Sequence, residues 1–469
     1  MSKLIGAVAA IAFAATAAHA QTASPDQAAF RDLYKELVET NTTYSAGSCT
    51  LAAERMAARL KAAGFPETDL HLLVPPDHPK DGNLVAVYPG KDPKAKAVLM
   101  LAHIDVVEAK REDWVRDPFK LVEEGGYFYG RGASDDKAQA AIWVDSLIRY
   151  RHEGFKPRRT IKMALTCGEE GGGQVNGARW LSQNQRELID AGIALNEGGA
   201  GALDNAGKHV VNNVLVAEKY PVSFTLEVTN PGGHSSRPVK DNAIYHLAMG
   251  LTKIGAYDFP ARINEATRLH FERMSAILGG EMGANMKAAL ANPPPPQAIA
   301  AIARDPGYNS MMRTTCVATM VNAGHALNAL PQRATANVNC RILPGEAPET
   351  VMATLAKVMD DPVIKIKMAG EKSPVSTPPP LTKGITGPAE AVAKQMWPGT
   401  PLVPAMSTGA TDSRFLLAAG TPAYGLSGMF GESDGGGVHG LNERIRVRSL
   451  YEGREYLYRV VKLYANAAD

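Results

Sequence analysis

One stretch organises the fold of this chain: Ile161-Lys162-Met163-Ala164-Leu165-Thr166-Cys167-Gly168-Glu169-Glu170-Gly171-Gly172-Gly173. An apolar run with the character of a buried strand ends in two adjacent carboxylates, and three glycines follow. Neighbouring side chains on an extended backbone point to opposite sides. Glu169 and Glu170 can therefore act differently at a strand end, one binding a ligand and the other moving a proton. For a lone Glu-Glu pair, a charged surface turn is the ordinary alternative.

The same pattern occurs twice more in the chain. Residues 97–102 form an unbroken apolar run that leads into His103-Ile104-Asp105, and residues 191–195 lead into Asn196-Glu197 and two glycines. Unbroken apolar runs are typical of strands in a parallel sheet, and ligand sites of open α/β sheets lie at the carboxyl edge. The three runs therefore predict an α/β fold with one site at a shared sheet edge.

His103 and Asp105 are two positions apart, so on a strand both side chains face the same side. A carboxylate beside a metal-binding imidazole fixes its tautomer and raises its basicity. A core histidine with satisfied hydrogen bonds is the alternative for this pair taken alone.

Two glycine-rich segments add further candidates, Gly130-Arg131-Gly132-Ala133-Ser134-Asp135-Asp136-Lys137 and Gly435-Gly436-Gly437-Val438-His439-Gly440. The first is no phosphate cradle, because the Walker spacing is absent and two aspartates would repel a phosphate. Its acidic pair could stabilise the N-terminus of the amphipathic helix that follows, or one aspartate could turn inward to a metal. The second places His439 in a flexible loop that lets the backbone approach a ligand closely.

The hydrophobic pattern of the sequence changes near residue 219 and again near residue 373. From Pro221 onward, apolar and polar residues alternate as in a half-exposed sheet, and the order is strand, helix, two strands, helix and strand. This order predicts a small inserted α+β domain over residues 219–372, available for self-association. The flanking parts, 21–218 and 373–469, are predicted to form one catalytic domain, joined through the proline-rich residues 373–380.

Composition limits the classes of protein that this chain can belong to. A length of 469 residues predicts more than one domain. The balance of 50 Lys+Arg against 48 Asp+Glu, with no basic run, argues against a nucleic-acid partner. Lys3, an apolar run and Ala18-His19-Ala20 predict a signal peptide over residues 1–20, hence a periplasmic or secreted protein with no membrane contact after cleavage. A short N-terminal membrane anchor is the alternative.

The four cysteines do not form the dense framework of a disulfide scaffold. Cys316 and Cys340 lie in strand-like runs and could pair in an oxidising compartment or remain buried thiols. Cys167 precedes Glu169 by two residues, and we interpret it as a packing residue because no activating partner is evident. Serine-hydrolase chemistry lacks support, since no Gly-x-Ser-x-Gly occurs.

The candidate inward-facing groups are two imidazoles and three carboxylates: His103, Asp135, Glu170, Glu197 and His439. A set without thiolates suits Zn²⁺, or Mn²⁺ or Co²⁺ at some cost in affinity. Five protein ligands are too many for one tetrahedral catalytic ion with an open position. They suit two ions ~3.5–4 Å apart that share one carboxylate and a water, whose pKa falls towards ~7.

Taken together, these motifs resemble those of the M20 family of metallopeptidases, which includes glutamate carboxypeptidase, succinyl-diaminopimelate desuccinylase, acetylornithine deacetylase and aminoacylase-1. The resemblance covers nearly the whole chain after residue 20, and the motifs occur in the same order as in the family. It implies a mixed-sheet, zinc-exopeptidase-like catalytic domain and an inserted ferredoxin-like domain that acts as lid and dimerisation module. The motifs that carry it are 103–105, 130–137, 169–170, 197, 232–234 and 439.

The resemblance also implies roles for individual residues. Asp135 would bridge the two ions, His103 and Glu197 would complete one site, and Glu170 and His439 the other. Glu169 would be the general base, and Asp105 would orient His103. His234 would stabilise the oxyanion, often in the partner subunit's site. Asn328 and Arg341 match positions that hold a terminal carboxylate.

The implied function is hydrolysis of peptide amide bonds, carboxypeptidase-like or dipeptidase-like, by a water that bridges the metals. An N-acyl-amino-acid deacylase has the same ligand set and is the alternative. A non-catalytic secreted binding protein with a degenerate metal site is the third hypothesis, although every ligand and the base are present. The expected partners are a small peptide or N-acyl amino acid and a second copy of the chain.

Overall fold

A computed structural model describes residues 25–370, 373–375 and 377–468. The predicted signal peptide over residues 1–20 lies outside this range. Among the described helices, none is both long enough and apolar enough to cross a lipid bilayer.

The helices and strands follow one another in mixed order along the described chain. The helices are α1 (Pro25–Glu39), α2 (Cys49–Ala62), α3 (Lys137–His152), α4 (Gly177–Asn184), α5 (Arg186–Ile189), α6 (Ala243–Gly255), α7 (Glu265–Leu278), α8 (Gly280–Ala288), α9 (Pro296–Ile302), α10 (Pro306–Met312), α11 (Pro348–Met359), α12 (Lys383–Met396), α13 (Ser413–Ala418) and α14 (Val447–Asn466). The strands are β1 (Leu70–Leu73), β2 (Asn83–Tyr88), β3 (Val98–His103), β4 (Val122–Glu124), β5 (Tyr127–Tyr129), β6 (Ile161–Thr166), β7 (Ile193–Asn196), β8 (Gly201–Leu203), β9 (His209–Glu218), β10 (Tyr220–Thr229), β11 (Gly233–His234), β12 (Thr315–Ala323), β13 (Ala329–Leu330), β14 (Arg333–Ile342), β15 (Lys365–Ala369), β16 (Leu402–Ser407), β17 (Ala423–Gly425), β18 (Phe430–Gly431) and β19 (Arg444–Arg446).

A large mixed sheet forms the centre of the molecule. Within the described residues its order is β1-β2-β6-β3-β7-β17-β9-β8-β18, and β16 also pairs with β9. The central strands β6, β3, β7 and β17 run parallel, whereas β1 and β2 are antiparallel to their neighbours. This agrees with the prediction of a mixed-sheet α/β fold.

Helices cover both faces of this sheet, which explains the unbroken apolar run of β3. Val98, Met100 and Ala102 face a core shared with α1, α2, α3 and α14. Leu99 and Leu101 face a second core shared with α4, α5 and α13. Alternate residues of the strand are therefore buried on opposite sides, as expected for a parallel strand between two helical layers.

A smaller antiparallel sheet has its own hydrophobic core. Its order is β12-β14-β10-β15, and helices α6 and α11 pack against it with the buried residues Leu247 and Leu355. In chain order these strands are the second, third, first and fourth of the segment, the order of a split β-α-β unit. The outer face of β12 is exposed, with Val317, Met320 and Val321 more than half accessible.

The helices α7 to α10 lie between α6 and β12 in the chain but pack on the large sheet. Phe271 of α7 and Met312 of α10 are buried against Val211 of β9 and Val403 of β16. The predicted boundaries of the inserted segment, 219 and 372, stay a prediction.

All four cysteines are in disulfides. Cys316 pairs with Cys340 across β12 and β14, and Cys49 of α2 pairs with Cys167 at the end of β6. The interpretation of Cys167 as a packing residue alone was therefore incomplete. The sequence offered little indication of the Cys49–Cys167 disulfide, because Cys49 lies 118 residues before Cys167 and nothing in the local sequence links the two.

Candidate metal centre

The carboxyl ends of three parallel strands bring the predicted site residues together. Strand β3 lies between β6 and β7, with His103 opposite Thr166 in register. His103 ends β3, the pair Glu169 and Glu170 follows β6, and Glu197 follows β7. The carboxyl ends of adjacent parallel strands meet at one edge, which is why residues distant in sequence converge here.

The imidazole of His103 has a different partner at each of its two ring nitrogens. Its Nδ1 lies 3.1 Å from the backbone carbonyl of Asp105 and 3.6 Å from the carboxylate Oδ1 of the same residue. The carbonyl is thus the hydrogen-bond acceptor. This bond places the proton on Nδ1, so that Nε2 is available as a ligand. The Asp105 carboxylate accepts from the backbone N–H of Glu170 at 3.0 Å instead.

Asp135 lies between the two histidines. Its Oδ1 is 3.0 Å from Nε2 of His103, and its Oδ2 is 3.2 Å from Nε2 of His439. His439 also lies 2.9 Å from the Glu170 carboxylate, and Glu197 Oε2 lies 3.7 Å from His103 Nε2. Two overlapping groups have potential ligand atoms within 4.8 Å of one another: His103, Glu169 and Glu197, and His103, Asp135 and Glu170.

The positions of these ligands depend on a carboxylate that sequence reasoning did not single out. Glu443 is 1% exposed and accepts hydrogen bonds from Arg131 and from the backbone N–H groups of Gly132, Ser134 and Asp135 at 2.8–3.0 Å. It fixes the loop that carries Asp135. The only sequence signal was its place in the same glycine-rich segment as His439.

A second supporting carboxylate, Asp412, is fully buried behind β6. It accepts hydrogen bonds from Thr166 Oγ1 at 3.0 Å and from Asn176 Nδ2 at 2.6 Å. Both donors flank the turn that carries Glu169 and Glu170, so Asp412 positions that turn. Its contacts join parts of the chain that are 246 and 236 residues apart, so they could not be inferred from the sequence.

The electrostatics of the cluster require positive charge. Burial alone would lower the pKa of His103, but Glu197, Asp105 and Asp135 raise it well above its usual value. Hydrogen bonds to Asp135 and Glu170 raise the pKa of His439 to about 10. Burial raises the pKa of Glu169 well above its usual value, and the Glu197 carboxylate raises it further. The carboxylates of the cluster therefore outnumber the imidazoles whose positive charge could balance them.

A divalent cation fits this cluster by donor chemistry and by unmet hydrogen bonding. Buried carboxylates are normally paired or bound to metals. Among the described residues, Oε1 of Glu197 and Oδ2 of Asp136 are buried without a hydrogen-bond partner. Imidazole nitrogens and carboxylate oxygens are the ligands that Zn²⁺ accepts in catalytic sites.

The predicted oxyanion-stabilising residue His234 and the predicted substrate-binding residues Asn328 and Arg341 are divided between two places. His234 and Asn328 lie together on the ribbon of β11 and β13, where the backbone N–H of Ser235 donates to the Asn328 carbonyl at 3.0 Å. Both are exposed. Within the described chain, no hydrogen bond or ion pair joins either residue to the metal ligands.

Arg341 lies near the cluster and beside a second arginine that was not predicted. Its pKa is lowered by burial and by the charge of Arg414, and raised by Glu169. The Nε of Arg414 is buried with no hydrogen-bond partner among the described residues. The positive charges of Arg341 and Arg414 act on each other, and two such guanidinium groups favour the binding of an anion. Arg414 directly follows the Thr411-Asp412-Ser413 turn, the only local signal for it.

Comparisons with known proteins agree with this geometry. Residues 99–463 match the model of peptidase family M20/M25/M40. The N-fatty-acyl-amino acid synthase/hydrolase PM20D1 of Mus musculus is 26% identical over 382 residues, covering 80% of this chain and 75% of that protein. The probable carboxypeptidase S-like 2 of Dictyostelium discoideum is 28% identical over 392 residues, covering 81% of this chain and 74% of that protein.

A solved structure shows the same fold. The M20 family metallo-carboxypeptidase Sso-CP2 from Sulfolobus solfataricus superimposes with a TM-score of 0.70 at 19% identity, covering 93% of this chain and 99% of that chain. The resemblance to M20 metallopeptidases noted in the sequence is thereby confirmed, and so is the assignment as a metallopeptidase or amidohydrolase.

Proposed function

Since the chain belongs to peptidase family M20/M25/M40, we propose that it hydrolyses amide bonds of small peptides next to a free carboxylate, using two divalent metal ions. The observation that carries the proposal is the position of Asp135, whose two oxygens face Nε2 of His103 and Nε2 of His439. A carboxylate with one oxygen towards each histidine is placed to bridge two ions.

The distances around Asp135 support two ligand sets. His103 and Glu197 would hold one ion, and Glu170 and His439 the other. Zn²⁺ is the first choice, with Co²⁺ and Mn²⁺ as alternatives. When bound, the pair supplies a polarised substrate carbonyl and an activated water at neutral pH.

The roles of the protein residues follow from burial and position. Glu169 is half-buried with a potential ligand atom within 4.8 Å of one of Glu197, and its charge acts on Arg341. As general base, Glu169 takes a proton from the attacking water and returns it to the leaving amine. Arg341, with Asn328, is proposed to bind the carboxylate of the substrate on the amine side. His234 is proposed to donate to the oxyanion.

A homodimer would account for the position of His234. It lies on an exposed ribbon, whereas an oxyanion donor must lie within hydrogen-bond distance of the reacting carbonyl. The exposed face of β12 and the exposed residues Ile244, Tyr245 and Met249 of α6 offer an apolar surface for a second copy. We propose that the partner subunit brings its own His234 to the site.

Secretion to the periplasm or the medium is also part of the proposal. The N-terminal pattern of residues 1–20 motivates it, and the two disulfides support it, because disulfides persist in oxidising compartments. Mass spectrometry of the exported protein tests it. A mature N-terminus at Gln21 is expected, and a chain that keeps residues 1–20 in the cytoplasm contradicts it.

Hydrolysis of N-acyl amino acids is a second candidate, favoured by the name of the Mus musculus relative. The test of both is a library of dipeptides and N-acyl amino acids, assayed with Zn²⁺, Co²⁺ and Mn²⁺ in turn. We expect metal-dependent release of the carboxyl-terminal amino acid. If the metal-loaded protein cleaves no member of either class, the proposal is wrong.

A further inference from the structure

The turn that carries Glu169 and Glu170 has little to hold it within its own sequence. This glutamate turn, residues 167–177, begins directly after β6 and closes where the backbone N–H of Gly177 donates to the Cys167 carbonyl at 2.6 Å. Three exposed glycines follow Glu170, with positive φ angles of 81°, 72° and 114°. Glycine loses more conformational freedom on folding than any other residue, and it has no side chain to pack. The positions of both carboxylates therefore depend on contacts from outside the turn.

A disulfide ties this turn to the start of helix α2. It joins Cys167 to Cys49, the first residue of α2, and both cysteines are fully buried. Gln174, on the other side of the glycines, donates through Nε2 to Sγ of Cys167 at 3.3 Å, to Sγ of Cys49 at 3.6 Å and to the Thr42 carbonyl at 3.4 Å. The disulfide therefore contacts the glutamate turn both before and after its glycine segment.

The same disulfide lies against Asp105. A carboxylate oxygen of Asp105 and the sulfur atoms of both cysteines lie within 4.8 Å of one another. Oδ2 of Asp105 accepts from the backbone N–H of Glu170 at 3.0 Å, and its backbone carbonyl lies 3.1 Å from Nδ1 of His103. Its Oδ1 is buried without a hydrogen-bond partner among the described residues. The disulfide thus packs behind two of the proposed metal ligands.

Reduction of this disulfide would change two contacts of the glutamate turn. The covalent link to α2 would be lost, and two S–H groups, which are weak hydrogen-bond donors, would appear beside Asp105. A thiol that donates to the unpartnered Oδ1 pulls on the same carboxylate that accepts from the Glu170 N–H. The oxidised pair has no S–H and leaves that carboxylate to the turn.

We propose that the Cys49–Cys167 disulfide is a positioning element for the glutamate turn, so that the chain reaches full activity only after this pair has been oxidised. The proposal rests on the proposed amide hydrolysis and adds its regulation. The packing against Asp105 and the contacts on both sides of the glycines carry it. A chain with reduced cysteines would hold the base and one ligand less precisely than the exported, oxidised chain.

The activating step is a thiol–disulfide exchange with an oxidant disulfide such as oxidised glutathione. The thiolate of one cysteine attacks a sulfur of the oxidant, whose S–S bond breaks and releases one thiol. The thiolate of the other cysteine then attacks the protein sulfur of the mixed disulfide and releases the second thiol. Two electrons pass from the cysteine pair to the oxidant, and the two thiol protons leave with the released thiols.

The test uses the full-length variant Cys316→Ser/Cys340→Ser, in which Cys49 and Cys167 are the only cysteines left. One sample is reduced and a second is reoxidised with oxidised glutathione, and alkylation with mass spectrometry counts the thiols. Both are freed of reagents and loaded with Zn²⁺ or with Mn²⁺, which thiolates bind less readily. Hydrolysis of a dipeptide gives kcat and KM. Amide hydrogen exchange of residues 168–176 is measured on the same samples before metal is added.

We expect oxidation to raise kcat by about tenfold or more and to change KM by less than about twofold, because a small misplacement of catalytic groups can cost about 10²-fold. Amide exchange of residues 168–176 should slow by about tenfold or more. Equal kcat and equal exchange in the two samples would overturn the proposal. A reduced sample that is unfolded throughout by circular dichroism would also overturn it, since the disulfide would then act on the whole fold.

The matched variant is Cys49→Ser/Cys167→Ser, which keeps the disulfide between β12 and β14. It should remain at the low kcat of the reduced sample whether or not the oxidant is added, and a gain on oxidation would contradict the assignment to Cys49 and Cys167. Exchange distinguishes this proposal from the proposed function. If the oxidised protein hydrolyses no peptide or N-acyl amino acid, the proposed function fails, whereas exchange that still slows on oxidation supports the positioning of the turn.

Discussion

Oδ2 of Asp135 lies 3.2 Å from Nε2 of His439, although the two residues belong to opposite ends of the chain. Ligand atoms of a tetrahedral ion with bonds of ~2.0–2.2 Å are separated by roughly 3.3–3.6 Å. The observed spacing is close to that separation, and Oδ1 repeats it towards the other histidine. Among the ion pairs of the described residues, Asp135 is the carboxylate shared by both imidazoles.

Removing the shared carboxylate charge should affect both ions at once. Asp135→Asn is expected to weaken the binding of two metal ions by at least about tenfold each, the lower end of what outer-sphere substitutions cause. Competition titration with a chromophoric chelator measures both affinities. Asp113→Asn, at an exposed position of the same part of the chain, is the control. Loss of one affinity alone would show that Asp135 does not bridge.

The two adjacent glutamates should separate catalysis from metal binding. Glu169→Gln removes the proposed base and is expected to lower kcat by at least about 10²-fold with metal content unchanged. Glu170→Gln removes a proposed ligand, so the metal content should fall by about one ion per chain. Elemental analysis with a hydrolysis assay measures both variants. Full activity of Glu169→Gln would exclude its role as the base.

Arg341, whose pKa is influenced by the proposed general base Glu169, should recognise a carboxylate of the substrate. Arg341→Gln is expected to raise KM for a substrate with a free carboxyl terminus by about tenfold or more, because a charge-assisted hydrogen bond is lost. The amidated form of the same substrate lacks that carboxylate, so its KM should change little. Comparison of KM for the two forms measures the effect. Equal increases for both forms would argue against carboxylate recognition.

The disulfide behind the site should contribute strongly to stability. Cys49 and Cys167 are 118 residues apart, and Cys316 and Cys340 are 24 apart. By loop-closure entropy, the double variant Cys49→Ser/Cys167→Ser should lose about 1.4 kcal/mol more than Cys316→Ser/Cys340→Ser. Urea unfolding of the oxidised proteins measures the difference. The reverse order would show that native-state effects dominate over loop entropy.

A buried carboxyl group should make stability depend on pH. Glu218 is 1% exposed and accepts hydrogen bonds from Thr411, and burial raises its pKa from 4.5 to about 8. Below pH 4.5 it is protonated in both the folded and the unfolded chain. Between pH 4.5 and 8 the unfolded chain releases this proton first, so the contribution of Glu218 to stability falls as pH rises.

The neutral variant Glu218→Gln keeps an acceptor for Thr411 and does not titrate. Its stability relative to the wild type should therefore increase from pH 5 to pH 8, by roughly 1–4 kcal/mol. Urea unfolding of both proteins at pH 5, 6.5 and 8 gives the difference, in which all shared titrations cancel. A constant difference across this range would contradict the raised pKa.

Local patterns were sufficient for much of the fold and of the ligand set. The apolar run before His103 is a fully buried strand, as predicted. The five predicted metal ligands lie close together. The places of His103, Glu170 and Glu197 after apolar strands indicated this for three of them, whereas Asp135 and His439 lie in glycine-rich segments. Their individual roles, like those of Asn328 and His234, stay predictions.

The sequence by itself determined the central apolar strands, the residues that follow them and the family, because hydrophobic periodicity and strand-end motifs are local. Only the tertiary structure decided that Glu443 holds the Asp135 loop, that Asp412 supports the Glu169 turn and that Cys167 pairs with Cys49. Each of these contacts joins segments more than a hundred residues apart. Such pairings depend on how sheets and helices pack in space, for which no short-range pattern in the chain exists.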